Sequence, residues 1–138
     1  MPKTLTSIIA ILLLVLSTHA YSQIDAAEAA ALAWLEAIDS GEFEQAWETS
    51  STLLQVPLSP SMLARTIGAA RRDFGAVQSR RRVRVISETS MPGAPRGDLK
   101  VFTFQTRFEN KPQITETITP HLDGDAWRVS GYYVQQPL

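Results

Sequence analysis

Glu116 occupies the most chemically demanding position in the sequence. Between Ile114 and Leu122 the side chains alternate, with Ile114, Ile118 and Leu122 on one side and Thr115, Thr117 and Thr119 on the other. Period two makes this a strand, and it puts Glu116 on the apolar side. A carboxylate among isoleucines must be paired or it pays heavily in desolvation. Two chemistries fit. Glu116 could be the polar group at the floor of a ligand cavity, suited to general-base work, or a structural group, either one half of a buried ion pair or hydrogen-bonded to a helix terminus. Alternation along the segment after Gly75 places Arg81 on the same face as Val77, Val83 and Val85, which makes Arg81 the expected partner.

Other chemistry-bearing residues are sparse. Trp34, Trp47, Phe102, Phe104, Trp127 and Tyr133 should converge where helices meet the sheet, either as simple core or as the lining of an apolar pocket for a small molecule. With Arg81 and Glu116 they make up the candidate pocket, and Tyr132 is expected on the opposite, outer face. His121, near a turn, reads as a surface residue. Ser50, Ser51 and Ser79 have no neighbouring base to activate a nucleophile. No phosphate-cradling glycine loop or dinucleotide fingerprint is present. Arg65 to Arg84 holds seven arginines against the single acid Asp73, whereas Asp25 to Glu48 holds seven acids and no base. Alternation sends Arg80, Arg82 and Arg84 to the outer face as a solvated stripe.

The elements that must position these residues follow from periodicity and punctuation. Asp25 with Glu28 forms a capping-box signature for a first helix that Gly41 ends, with Ala27, Ala31, Trp34 and Ile38 as its buried stripe. Six alanines before Trp34 keep this helix slim. A second helix is expected from Glu42 to about Leu54, and a third from Pro60 to Phe74, capped by Ser59 and stopped by Gly75. Four strands follow: Ala76 to Glu88, Leu99 to Phe108 with Phe102, Phe104 and Phe108 on one face, Ile114 to Leu122, and a last run through Trp127, Val129 and Tyr133. "MPGAPRGD" connects the first two, and Asp123 with Gly124 gives a tight hairpin.

Helices followed by strands define an α+β domain, with three N-terminal helices packed on one face of a curved four-stranded antiparallel sheet. A ten-residue strand spans roughly 33 Å, long enough for twist to curl the sheet into a cone.

Composition narrows the classes further. The chain has 138 residues, 44% of them hydrophobic and 20% charged, the balance of one globular domain. Lys3, the apolar run Ile8 to Leu16, and small residues at Ala20 and Ser22 read as a secretory signal peptide over residues 1–22, leaving a mature domain over 23–138. The expectation is export to the periplasm or beyond, with no membrane anchor after cleavage. The net charge of −1 excludes a nucleic-acid-binding balance. There is no cysteine, and with His19 lost in the leader His121 is the remaining imidazole, so no metal and no cofactor is expected.

Four segments in this order, "LAWLEAIDSGEFEQAWETS", "RRDFGAVQSR", "MPGAPRGDLKVFTFQTRFENK" and "ETITPHLDGDAWRVSGYYV", resemble the exported bacterial family catalogued as domain of unknown function 4019. The resemblance covers Ala26 to Val134. It implies a cystatin-like cone similar to nuclear-transport-factor-like and SnoaL-like proteins, and it brings no established activity. The expected function is a non-catalytic module that binds a small apolar ligand or a protein. The alternatives are a structural accessory dimerising through the outer sheet face, and a SnoaL-like isomerase, dehydratase or hydrolase using Glu116.

Overall fold

A computed structural model describes residues 22–138. Helix α1 covers residues 22–39 and is followed by α2 (Phe43–Glu48), α3 (Thr52–Gln55) and α4 (Pro60–Ala70). Strands β1 (Val77–Glu88), β2 (Leu99–Phe108), β3 (Ile114–Asp123) and β4 (Ala126–Gln135) then form one antiparallel sheet in chain order. The class is α+β, as expected. The leader lies outside the described residues except for Ser22, which is already helical.

Helix α1 buries the expected stripe of Ala27, Ala31, Trp34 and Ile38, with Leu35 and Ala37 beside it. Asp25 is not its N-cap, because the helix is under way by residue 22, and Glu28 reaches across to Arg82 instead of back to the cap. Gly41, at φ 76°, closes the C-terminus, with Glu42 N–H donating to the Ala37 carbonyl.

The expected second helix is split into α2 and α3, because three successive hydroxyl residues compete with the helical backbone. Thr49 Oγ1 and Ser50 Oγ donate back to the Ala46 carbonyl, at 3.1 and 2.7 Å. Ser51 Oγ caps the new segment by accepting from Leu53 N, while Ser51 N–H donates to Val129 O of β4. Among the described residues there are therefore four helical segments rather than three. Helix α4 starts as expected, with Ser59 accepting from Met62 N, but it ends at Ala70, which is exposed. Phe74 is still buried, on Phe108 with ring centroids 5.0 Å apart. Gly75 has φ 76°, and a Cβ there would stand 2.8 Å from Glu109 Cβ, so this turn has room only for glycine.

Register decides which side chains meet. β2 opposite β3 runs without a break from Leu99↔His121 to Thr106↔Ile114, and Phe102, Phe104, Thr106 and Phe108 all point to the helices. β1 carries two irregularities, which leave Gln78 and Val83 without an opposite residue, and β4 carries one at Ser130. Each extra residue reverses the alternation beyond it. In β1 the inward positions become Val77, Arg80, Arg82 and Val85, opposite Phe108, Thr106, Phe104 and Phe102. In β4, Val129 points inward before the bulge, and Tyr132 and Val134 do so after it.

Candidate functional site

Glu116 lies at the centre of the sheet, facing the helices with no solvent exposure. Its partner is Arg80, not Arg81. Arg80 Nε donates to Glu116 Oε1 at 2.7 Å and Arg80 Nη2 donates to Oε2 at 3.2 Å. Thr106 Oγ1 donates a further short hydrogen bond to Oε1, and the Tyr132 hydroxyl donates one to Oε2. A carboxylate has about four acceptor positions, so these four donors saturate it. The arrangement depends on the β1 bulge at Gln78, which turns Arg80 inward, and on the β4 bulge at Ser130, which turns Tyr132 inward.

Arg80 extends the network. Its Nη1 donates to Asp39 Oδ2 at 2.8 Å, and Arg71 Nη2 donates to Asp39 Oδ1 at 2.7 Å. Two cations and two anions thus alternate from the end of α4 through the end of α1 and β1 to β3. Arg71, its guanidinium 4.8 Å from the Phe108 ring centroid, keeps Nη1 buried without a partner among the described residues. Burial works against the Arg80 charge, but hydrogen bonds to Asp39 and Glu116 outweigh it and hold the pKa above the ordinary arginine value. Burial first, and then the neighbouring Glu116 charge, push the Tyr132 phenol well above its usual range. Tyr132 therefore stays a donor, and its ring lies 5.3 Å from that of Trp34.

Of the expected pocket residues, Trp34, Phe102, Phe104 and Glu116 are buried together, and Trp47 and Trp127 pack at their margin. Each indole N–H is satisfied: Trp34 by Ser50 Oγ at 2.9 Å, Trp47 by Leu58 O at 2.6 Å and Trp127 by Gln23 Oε1 at 3.1 Å. Arg81 and Tyr133 are not part of this set. The bulges turn both to the outer face, where Tyr133 is 55% exposed, and Tyr132 and Val134 take the inner positions. Glycine inside a strand often marks a bulge, and Gly131 beside Ser130 is the sequence signal that could have identified Tyr132.

The hollows beside this core are small. One of about 140 Å³ lies between Trp34, Trp127 and the alanine face of α1. Another of about 170 Å³ lies between Trp34, Tyr132, Leu54 and Ile67. Drug-sized ligands occupy pockets of roughly 300–1,000 Å³. Glu116 lines neither.

His121 is buried, at 6% exposure, and is not the surface residue its turn position suggests. Ser130 Oγ donates to Thr119 O at 2.9 Å, so its one proton is committed and His121 Nδ1 is the donor in the 2.6 Å contact with Ser130. Nε2 then carries the lone pair, and it is buried without a partner among the described residues. Burial lowers the His121 pKa. The ring lines a shallow hollow with Ser51, Arg96 and Asp123. Among the described residues, no group of three or more His, Asp or Glu side chains could hold a metal ion, and no helix is long and apolar enough to cross a membrane.

The arrangement defines an α+β protein in which helices cover one face of an open antiparallel sheet and a saturated ionic cluster is packed between them. Residues 30–132 match the family described as protein of unknown function (DUF4019), and the chain belongs to that family. No curated protein and no solved structure matches it.

Proposed function

We propose that this chain is an exported, non-catalytic interaction module, a small cone of the cystatin-like and SnoaL-like kind that presents its outer surface to a partner. The observation that carries the reading is the state of Glu116. A general base needs a free lone pair directed at a substrate, and all four acceptor positions of this carboxylate are occupied by Arg80, Thr106 and Tyr132. The hollows on either side of Trp34 are too small for a drug-sized guest. The inner face thus serves to hold the fold together. The charged, apolar and small-residue segments of the leader support export.

Native mass spectrometry of the protein recovered from the periplasm tests both halves of the reading. The expected mass is that of the polypeptide beginning near Gln23, with nothing retained. Glu116→Gln should lower stability by about 2–3 kcal/mol, since the buried Arg80 guanidinium loses one of its two carboxylate partners and keeps only Asp39. A small molecule that co-purifies with the native chain and is lost from Glu116→Gln would overturn the proposal.

A further inference from the structure

The outer face of the sheet differs chemically from the inner one. Register aligns Arg81 with Gln105, Thr115 and Gln135 in one row, and Arg84 with Thr103, Thr117 and Tyr133 in the next, with Arg107 opposite Ser79. None of Arg81, Arg84 and Arg107 has a carboxylate within ion-pair distance among the described residues. A trough of about 450 Å³ opens at the end of this face, lined by Arg81, Gln105, Thr115, Gln113 and Gln136, with Pro112 and Pro137 as walls. An adjoining hollow of about 200 Å³ shares both prolines and adds Lys111. No acid lines either one.

This is the largest of the hollows described, and it lies within the range that holds a ligand. Its donor set is specific in kind. Arg81 offers a planar fork that takes a carboxylate bidentately. Gln105 Nε2 donates to Thr115 Oγ1 at 2.9 Å, which leaves the Gln105 carbonyl oxygen, the Thr115 hydroxyl proton and the amides of Gln113 and Gln136 to accept from and donate to sugar hydroxyls. Tyr133 exposes a ring with a polar tip on the next row. A protein partner would need a large apolar or aromatic anchor at the centre of the patch, and the trough itself has only two prolines. A second copy docked symmetrically on this face would crowd the unpaired arginines of both copies together, and like charges brought face to face oppose that docking.

We propose that this trough binds an acidic glycan, a uronate-bearing oligosaccharide whose carboxylate sits on Arg81 and whose hydroxyls are read by Gln105, Gln113, Thr115 and Gln136. The inference rests on the reading of the chain as an exported binding module, and it names the surface and the partner class.

Calorimetric titration of the mature chain with a short polygalacturonate oligomer should show saturable binding that weakens with added salt. Arg81→Ala should weaken it about tenfold, the value of one charge-assisted bidentate contact. Gln105→Ala, which leaves the charge intact, should weaken it about threefold. Arg65→Ala, on α4 and outside the trough, should leave it unchanged. All these side chains are exposed, so the variants retain the fold. Absence of binding to polygalacturonate would overturn the proposal. So would equal binding of poly-glutamate or of anionic vesicles, or an equal loss in Arg81→Ala and Arg65→Ala. None of these results would touch the interaction-module reading, which fails only if the core retains a molecule.

Discussion

The two faces of this sheet are made by the same four strands, yet they treat charge in opposite ways. On the inner face the arginines are matched by carboxylates, and Lys100 donates to Ser87 Oγ at 2.8 Å beside the Trp127 ring. Arg80 is shared between Glu116 and Asp39, Arg71 binds Asp39, and Arg82 binds Glu28 at 2.6 Å. On the outer face, Arg81, Arg84 and Arg107 stand among threonines and glutamines with no carboxylate partner among the described residues. The difference follows from solvent. A buried guanidinium without a counter-ion costs several kcal/mol, whereas an exposed one is solvated at no structural cost. Neighbouring arginines in β1 therefore have unequal jobs, Arg80 paired within the fold and Arg81 facing solvent.

The largest expected effect comes from substituting those neighbours separately. Arg80→Ala strips Glu116 of two donors and leaves a buried carboxylate held only by Thr106 and Tyr132, and it removes one of the two cations on Asp39. A loss of about 3–5 kcal/mol is expected, the cost of breaking a buried pair from one side. Arg81→Ala should change stability by no more than about 0.5 kcal/mol. Urea midpoints of the two variants measure the contrast directly, and similar losses would mean that the two faces are not electrostatically distinct. The tyrosines sharpen the same comparison at a smaller scale. Tyr132→Phe leaves one Glu116 acceptor position unfilled and should cost about 1–2 kcal/mol. Tyr133→Phe should be neutral within about 0.5 kcal/mol in the same assay.

How much of this could be read from residues alone depends on where the strands are regular. β2 runs from Leu99 to Phe108 as expected, and its aromatic face is unambiguous because its pairing with β3 has no interruption. The inward position of Glu116 was legible for the same reason. Its partners were not. Arg80, Arg81 and Arg82 are chemically identical by type, so parity alone assigns their faces, and a single unpaired residue at Gln78 reverses that parity. The exchange of Tyr133 for Tyr132 has the same origin at Ser130, and Gly131 is the local cue. The split of the second helix was legible in principle, since Thr49, Ser50 and Ser51 are residues that compete for backbone groups. What selects that outcome is Ser51 N–H reaching the carbonyl of Val129, a contact between residues 78 positions apart that no local pattern encodes.

His121 lies at the boundary of the two regimes and gives the smallest and most selective effect. Its Nδ1–H is held by Ser130, its Nε2 is buried without a partner among the described residues, and burial lowers its pKa below the ordinary value of 6.5. Asp123 and Arg96 line the same hollow, and Arg128 is its register partner on β4. The unfolded chain takes up a proton near pH 6.5 while the folded chain resists it, so the unfolded state binds more protons in that window. Stability from this group is thus complete above about pH 6.5 and is lost as the pH falls toward the lowered folded value. Histidine is the side chain whose ordinary pKa falls in this interval, which makes the imidazole the group to test. Urea midpoints should fall between about pH 7 and about pH 5.5 in the parent chain, and His121→Gln should flatten that slope. The difference between the two chains cancels any contribution from His19 or the N-terminal amine. An unchanged slope in His121→Gln would place the ring in water, on the solvated side of the comparison, with its Nε2 hydrogen-bonded to solvent and no pH dependence of its own.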